Sequence, residues 1–252
     1  MNATRASLLP ACAPAPKAVR TSVGPGRSPA AHAPAHRTAL LAALFLALAA
    51  ALLVAAAPAR ADRSGDPVGT ITRVQGPVFL EETGGRRLLA AGEPLHEGDA
   101  LVTGSRARAE LTFLDASVVT LSEDTALTVR SFDIPKGQAR FEMLRGAFRA
   151  VTGSITRPEG ADFRVLTPLA AIGIRGTDFW GGFFTPEELG VFLASGKSVA
   201  ISNTHGTRVI TRPGEGVTVT LADPWPTRPV KWREAKVRRA VRLVTFEEDS
   251  PK

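Results

Sequence analysis

The chain has 252 residues and a formal charge of +7, but that charge is concentrated at one end. Six of its 31 Lys and Arg (Arg5, Lys17, Arg20, Arg27, Arg37, Arg60) precede Asp62 and none of its 24 acids does, so residues 62–252 carry 25 basic against 24 acidic groups. A near-neutral remainder speaks against nucleic acid as a partner, and the single cysteine, Cys12, lies in the leader, which excludes disulfides, thiol nucleophiles and cysteine metal sites from residue 62 onward.

Residues 1–37 hold six prolines and five cations without an acid, a composition that buries too little apolar surface to order itself. This stretch is expected to be a disordered basic leader. Residues 38–61 follow as a signal-peptide hydrophobic region and cleavage site: an apolar run from Ala39 to Ala57, then Pro58-Ala59-Arg60-Ala61, in which Ala59 and Ala61 fit the small-x-small cleavage pattern. Nineteen apolar residues are also close to the length that spans a bilayer, so a retained inner-membrane anchor is the alternative. The expected location is the periplasm.

From residue 62 to 223 the pattern is that of many short strands. In Arg108 to Phe113 the apolar side chains Ala109, Leu111 and Phe113 alternate with polar ones, which places them on one face of a strand. Leu127 and Val129, Phe141 and Met143, Val199 and Ile201, then Val217, Val219 and Leu221 repeat that period of two. Turns are expected at Gly84-Gly85, Gly98-Asp99, Gly153-Ser154, Gly181-Gly182, Ser195-Gly196-Lys197 and Gly214-Glu215-Gly216, and Thr185 to Gly190 reads as a connection. The fold class is therefore all-β: a two-layer sandwich or roll of short strands, with a short β-solenoid as the alternative.

Residues 224–252 form a basic tail. Val237, Ala240, Val241 and Val244 fall at helical spacing, which predicts a short C-terminal helix with one apolar stripe and a cationic back. Such a back is ordinarily a solvated face, and peripheral contact with anionic lipid is the functional alternative.

Residues able to do chemistry are sparse. His96 and His205 stand alone in turn-like segments outside any recognised catalytic pattern, and adjacent acids such as Glu187-Glu188 point to opposite faces of a strand. No catalytic residue, metal site or cofactor is expected.

The densest segment is Thr167 to Trp180. Its TPLAAIGIRGTDF run resembles the TP-x-A-x-x-x-V-R-G-T-x-F signature of the FecR family of periplasmic domains, with Ile174 in place of Val. Upstream, Leu95, Gly98-Asp99, Thr103-Gly104, Ala109, Leu111 and Asp115-Ala116-Ser117 resemble the family's L-x-x-G-D and D-G-S run, with Ala116 in place of Gly. Gly146 and Gly196 match later family turns. The resemblance covers about residues 67–221. It implies a periplasmic β domain that receives a signal, and in full-length regulators a cytoplasmic anti-sigma segment that the Pro-rich residues 1–37 do not resemble. The expected function is thus an exported, non-catalytic binding or scaffolding module of the cell envelope, with a membrane-tethered regulator of a sigma factor as the alternative.

Within the signature, Arg175, Gly176 and Thr177 read first as a structural corner. The Arg175 guanidinium would satisfy loop carbonyls or pair with Asp178, and the Thr177 hydroxyl would bond nearby backbone. Lining a binding site is the second reading. If the following run stays extended, Phe179 and Phe183 share one face and Trp180 and Phe184 the other. The second pair would then be an exposed aromatic surface for an envelope protein or glycan.

Overall fold

A computed structural model describes residues 65–249. The expected leader, apolar run and cleavage site lie outside the described residues. The first strands are β1 (Gly69–Gln75), β2 (Val78–Glu82), β3 (Gly85–Leu88), β4 (Pro94–Leu95), β5 (Ala100–Thr103) and β6 (Arg108–Phe113). They are followed by β7 (Val118–Leu121), β8 (Ala126–Asp133), β9 (Gln138–Arg145), β10 (Ala147–Val151) and β11 (Asp162–Leu166). Two long strands, β12 (Ala171–Thr185) and β13 (Glu188–Asn203), precede β14 (Gly206–Ile210), β15 (Glu215–Thr220), β16 (Val230–Lys231) and helix α1 (Glu234–Val244).

All strands belong to one curled sheet with two wings. One wing runs β3-β2-β5-β8-β9-β11 onto the first half of β12, and the other runs β4-β1-β6-β7-β10 onto its second half. The β12–β13 hairpin belongs to both, and it extends them with β14 on the first wing and β15 and β16 on the second. The wings close on each other around aromatic contacts. Phe113 of one stacks on Phe132 of the other at 4.7 Å between centroids and meets Phe141 edge-on at 5.3 Å. Among the described residues only β9 and β11 pair in parallel. A solenoid needs parallel coils throughout, so the architecture is the two-layer roll of short strands with a C-terminal helix.

Alternation drives this arrangement. Strand β6 buries every second residue, and Ala109, Leu111, Leu127, Val129, Phe141, Met143, Val199, Ile201, Val217 and Val219 are all core. Each of these side chains larger than alanine is worth about 1.5–3 kcal/mol when fully buried. Leu221 breaks the series at 62% exposure, because the turn closed by Thr220 and Asp223 has already carried the chain out of β15.

Several glycines expected to end strands lie inside long ones instead. Gly181, Gly182 and Gly196 fall within β12 and β13, and Glu188 to Gly190 opens β13, with Leu189 fully buried. At Gly181 the missing side chain leaves room for the Phe148 ring, so its role is close approach and not a turn.

One turn carries strain. Ala116, between β6 and β7, has φ +65°, a left-handed conformation that costs a non-glycine residue about 1–2 kcal/mol. Ala116→Gly is expected to stabilise the domain by about 0.5–1 kcal/mol after glycine's entropic cost. A thermal melt checks this, and an unchanged or lower midpoint would mean that the turn is not strained.

Candidate functional site

The signature segment sits where β12 and β13 cross from one wing to the other. Gly176 (φ +55°) and Gly196 (φ +103°) face each other at the bend, and a side chain on Gly196 would come within 2.7 Å of Thr177 Cα. The corner is therefore built from paired glycines, one on each strand.

Its hydrogen bonds differ from the sequence expectation. The hydroxyl of Thr152 accepts from the Thr177 amide at 2.9 Å and donates to the Thr177 carbonyl at 3.2 Å, whereas the Thr177 hydroxyl is buried without a partner. The group that ties the corner to β10 is thus 25 residues upstream. Asp178 likewise does not pair with Arg175. Arg149 reaches it from β10, the strand paired with this half of β12, and donates from Nε and Nη2 to the two carboxylate oxygens at 2.8 and 2.6 Å. This fork holds the Arg149 guanidinium above its ordinary pKa, mainly through its hydrogen bond with Asp178 and against the opposing effect of burial. Arg175 itself is exposed, and among the described residues its side chain satisfies no loop carbonyl. Its expected structural role is corrected accordingly.

The aromatic run keeps the predicted parity but not the predicted exposure. Phe179 lies in the core, edge-on to Phe148 at 5.4 Å. Trp180 and Phe184 share the opposite face and stack at 5.0 Å, yet Trp180 is only 3% exposed. The C-terminal segment covers them. Trp232 lies 6.0 Å from Trp180, 5.8 Å from Phe184 and 5.2 Å from Phe192, over Gly190 and Gly216, where a side chain would meet the indole. Helix α1 then lays Ala240 and Val244 on the same cluster, while Val241 turns outward. Lys236 Nζ sits 4.9 Å from the Phe184 ring and 4.5 Å from that of Trp232, and it bonds Glu188 at 3.3 Å. The open partner or glycan surface expected at Trp180 and Phe184 is therefore an intramolecular contact, because the basic tail spends its apolar stripe there.

The histidines stay apart. His96 is half-buried with Nδ1 at 3.9 Å from Asp99, and His205 is exposed beside Trp225. Among the described residues no three His, Cys, Asp or Glu side chains converge as metal ligands.

Two arrangements were not foreseen. On the outer face of the first wing, Arg140 and Arg164 both bond Asp162. Inside the second wing, Asp115 is buried and accepts from Ser117 N, Ser117 Oγ and Ile155 N at 2.9, 2.6 and 3.1 Å. The Asp-x-Ser spacing of residues 115–117 was the available signal for the second.

Comparison with known proteins places this geometry. The family model described as FecR protein matches residues 99–197, from the end of the Gly98-Asp99 turn to the corner at Gly196. Two crystal structures of a protein from Parabacteroides distasonis, assigned provisionally as an anti-sigma factor, each align at 19% identity with a TM-score of 0.47. The alignment covers 55% of this chain and 62% of theirs, so the chain spans less than two thirds of that protein's length. A cell surface anchoring domain aligns at 28% identity over 25% of this chain and 83% of its own, with a TM-score of 0.23. No curated protein matches the chain.

Proposed function

We propose that this chain, which carries a FecR domain over residues 99–197, is a non-catalytic binding and regulatory module that works on the periplasmic side of the inner membrane. The observation that carries the reading is the FecR match itself, since it spans both wings and includes the whole β12–β13 corner. FecR proteins are regulatory and not enzymatic in general. The apolar run at residues 39–57, followed by the small residues Ala59 and Ala61, supports export or tethering.

A second reading is favoured by the same match: a tethered regulator whose residues 1–37 contact a cytoplasmic partner such as a sigma factor. Intact mass and N-terminal sequencing of the protein from fractionated cells separates the two. A soluble species that begins at Asp62 supports the exported module. A membrane-bound species that keeps residues 38–57 supports the tethered regulator, and recovery from the cytosol overturns both.

A further inference from the structure

The outer faces of the two wings are finished differently. The second is closed by Trp232 and α1, whereas the outer face of the first, over β9, β11, β12 and β13, carries no covering segment among the described residues. On that face Arg140, Arg164, Gly173, Ala200 and Val209 form one row across five strands, each register-paired with the next. Arg175 stands two residues beyond Gly173, opposite Ser198. Two guanidinium groups, those of Arg140 and Arg164, already bond the one carboxylate of the row, Asp162, while the exposed Arg175 side chain forms no hydrogen bond or ion pair among the described residues. Arg175 is left over. Lys197, exposed at the same corner with its Cδ near Gly176, adds a further cation, and the neighbouring Glu142 is engaged by Arg130.

From this juxtaposition we infer that the outer face of the first wing, centred on Arg164 and Arg175, docks an extended acidic segment of a partner protein. The inference rests on the binding-module reading above and names the partner's chemistry. Charge complementarity selects an anion, since the face holds more guanidinium groups than carboxylates. The floor between the cations is Gly173, Ala200 and Ser198, so a main chain can approach without displacing a side chain larger than serine. The spacing selects an extended chain. Arg164 and Arg175 are diagonal neighbours on antiparallel strands, about 7–8 Å apart. Alternate residues of an extended peptide lie about 6.6–6.8 Å apart on one side. Carboxylates at positions i and i+2 of a strand thus reach both guanidinium groups, whereas adjacent acids point to opposite sides. Arg175 belongs to the most distinctive motif of the sequence, yet its exposed side chain forms no hydrogen bond or ion pair among the described residues, which leaves its charge free for a partner.

The test uses the full chain in detergent and a fluorescent octapeptide in which Glu and Thr alternate, read by anisotropy. Binding is expected to weaken about tenfold in Arg164→Glu/Arg175→Glu, as two exposed ion pairs become repulsions. It should persist in Arg238→Glu/Arg242→Glu, which reverses charge on α1 instead. Arg175→Glu alone, which removes no hydrogen bond or ion pair among the described residues, should melt like the wild type and still bind several-fold more weakly. The inference is overturned if the wild type does not bind the peptide, or if both double variants lose it equally. It is also overturned if Arg164 and Arg175 are needed only for binding to phosphatidylglycerol vesicles. None of these outcomes depends on where the protein resides, so failure here is distinct from failure of the fractionation experiment.

Discussion

Asp115→Ala is expected to destabilise the β domain by about 3–4 kcal/mol. The Asp115 carboxylate is 5% exposed and receives three donors, Ser117 N, Ser117 Oγ and Ile155 N. Through Ser117 Oγ the network continues to the Gly153 amide at 2.8 Å, and the Asp115 carbonyl accepts from Ser154 N at 2.9 Å. The β6–β7 turn is thereby locked to the 3-10 turn at Ser154–Thr156. Truncation leaves two buried amides without acceptors, each costing about 1–3 kcal/mol. Gly153 belongs to the same device, since a side chain there would come within 2.6 Å of Ser117 N. Equilibrium denaturation measures the loss. Asp115→Asn, which keeps one acceptor oxygen, should fall between alanine and wild type, and an alanine variant as stable as wild type would show that the lock contributes nothing.

Trp232→Ala is expected to cost about 3–4 kcal/mol and to act on one part of the molecule only. The indole is 7% exposed and bridges Trp180, Phe184 and Phe192 to the C-terminal segment. Without it α1 has little to hold its shape. The helix is 11 residues long and has no side-chain cap at its N-terminus, where Arg233 stands. Isolated helices of that length are marginal in water. The variant should lose its helical circular dichroism and be cut by trypsin between Arg233 and Arg242, while the core from β1 to β15 resists. The far end of the segment is anchored separately, by Arg73 against the Phe246 ring at 4.0 Å and against Asp249 at 2.8 Å. The Arg73–Asp249 ion pair is exposed and weak, and Phe246, although buried, lies beyond the helix, so this anchor should not rescue it. Unfolding of the whole domain in a single transition with Trp232→Ala would instead make the segment part of one cooperative core.

Much of the fold was legible because alternation has one physical reading. A strand that packs one face on a core must bury every second residue, so Ala109, Leu111 and Phe113 announced their direction without any knowledge of their neighbours. The same parity correctly divided Phe179 from Trp180. Charge reasoning was less informative at the site. Asp178 stands three residues from Arg175 in sequence, but its partner Arg149 reaches it from β10, whose register sets Arg149 against Trp180 and Val151 against Asp178. That register depends on how β7, β10 and β12 line up across the sheet, and no local pattern encodes it.

The sequence by itself therefore determined the all-β class, the buried face of the strands whose alternation was clear, the bend that Gly176 permits, and the helical spacing of the C-terminal segment. Each of these follows from local geometry: a period of two, a period of 3.6, or a backbone angle that only glycine adopts without strain. Tertiary structure decided what covers each face. It placed Trp232 over Trp180 and Phe184, gave Asp178 to Arg149, and left Arg175 exposed beside Arg164. These pairings join residues up to about fifty positions apart, and they are set by which strands adjoin in the curled sheet. Periodicity tells a side chain which way to point, and only the packed neighbours determine whether it meets water, an ion partner or another ring.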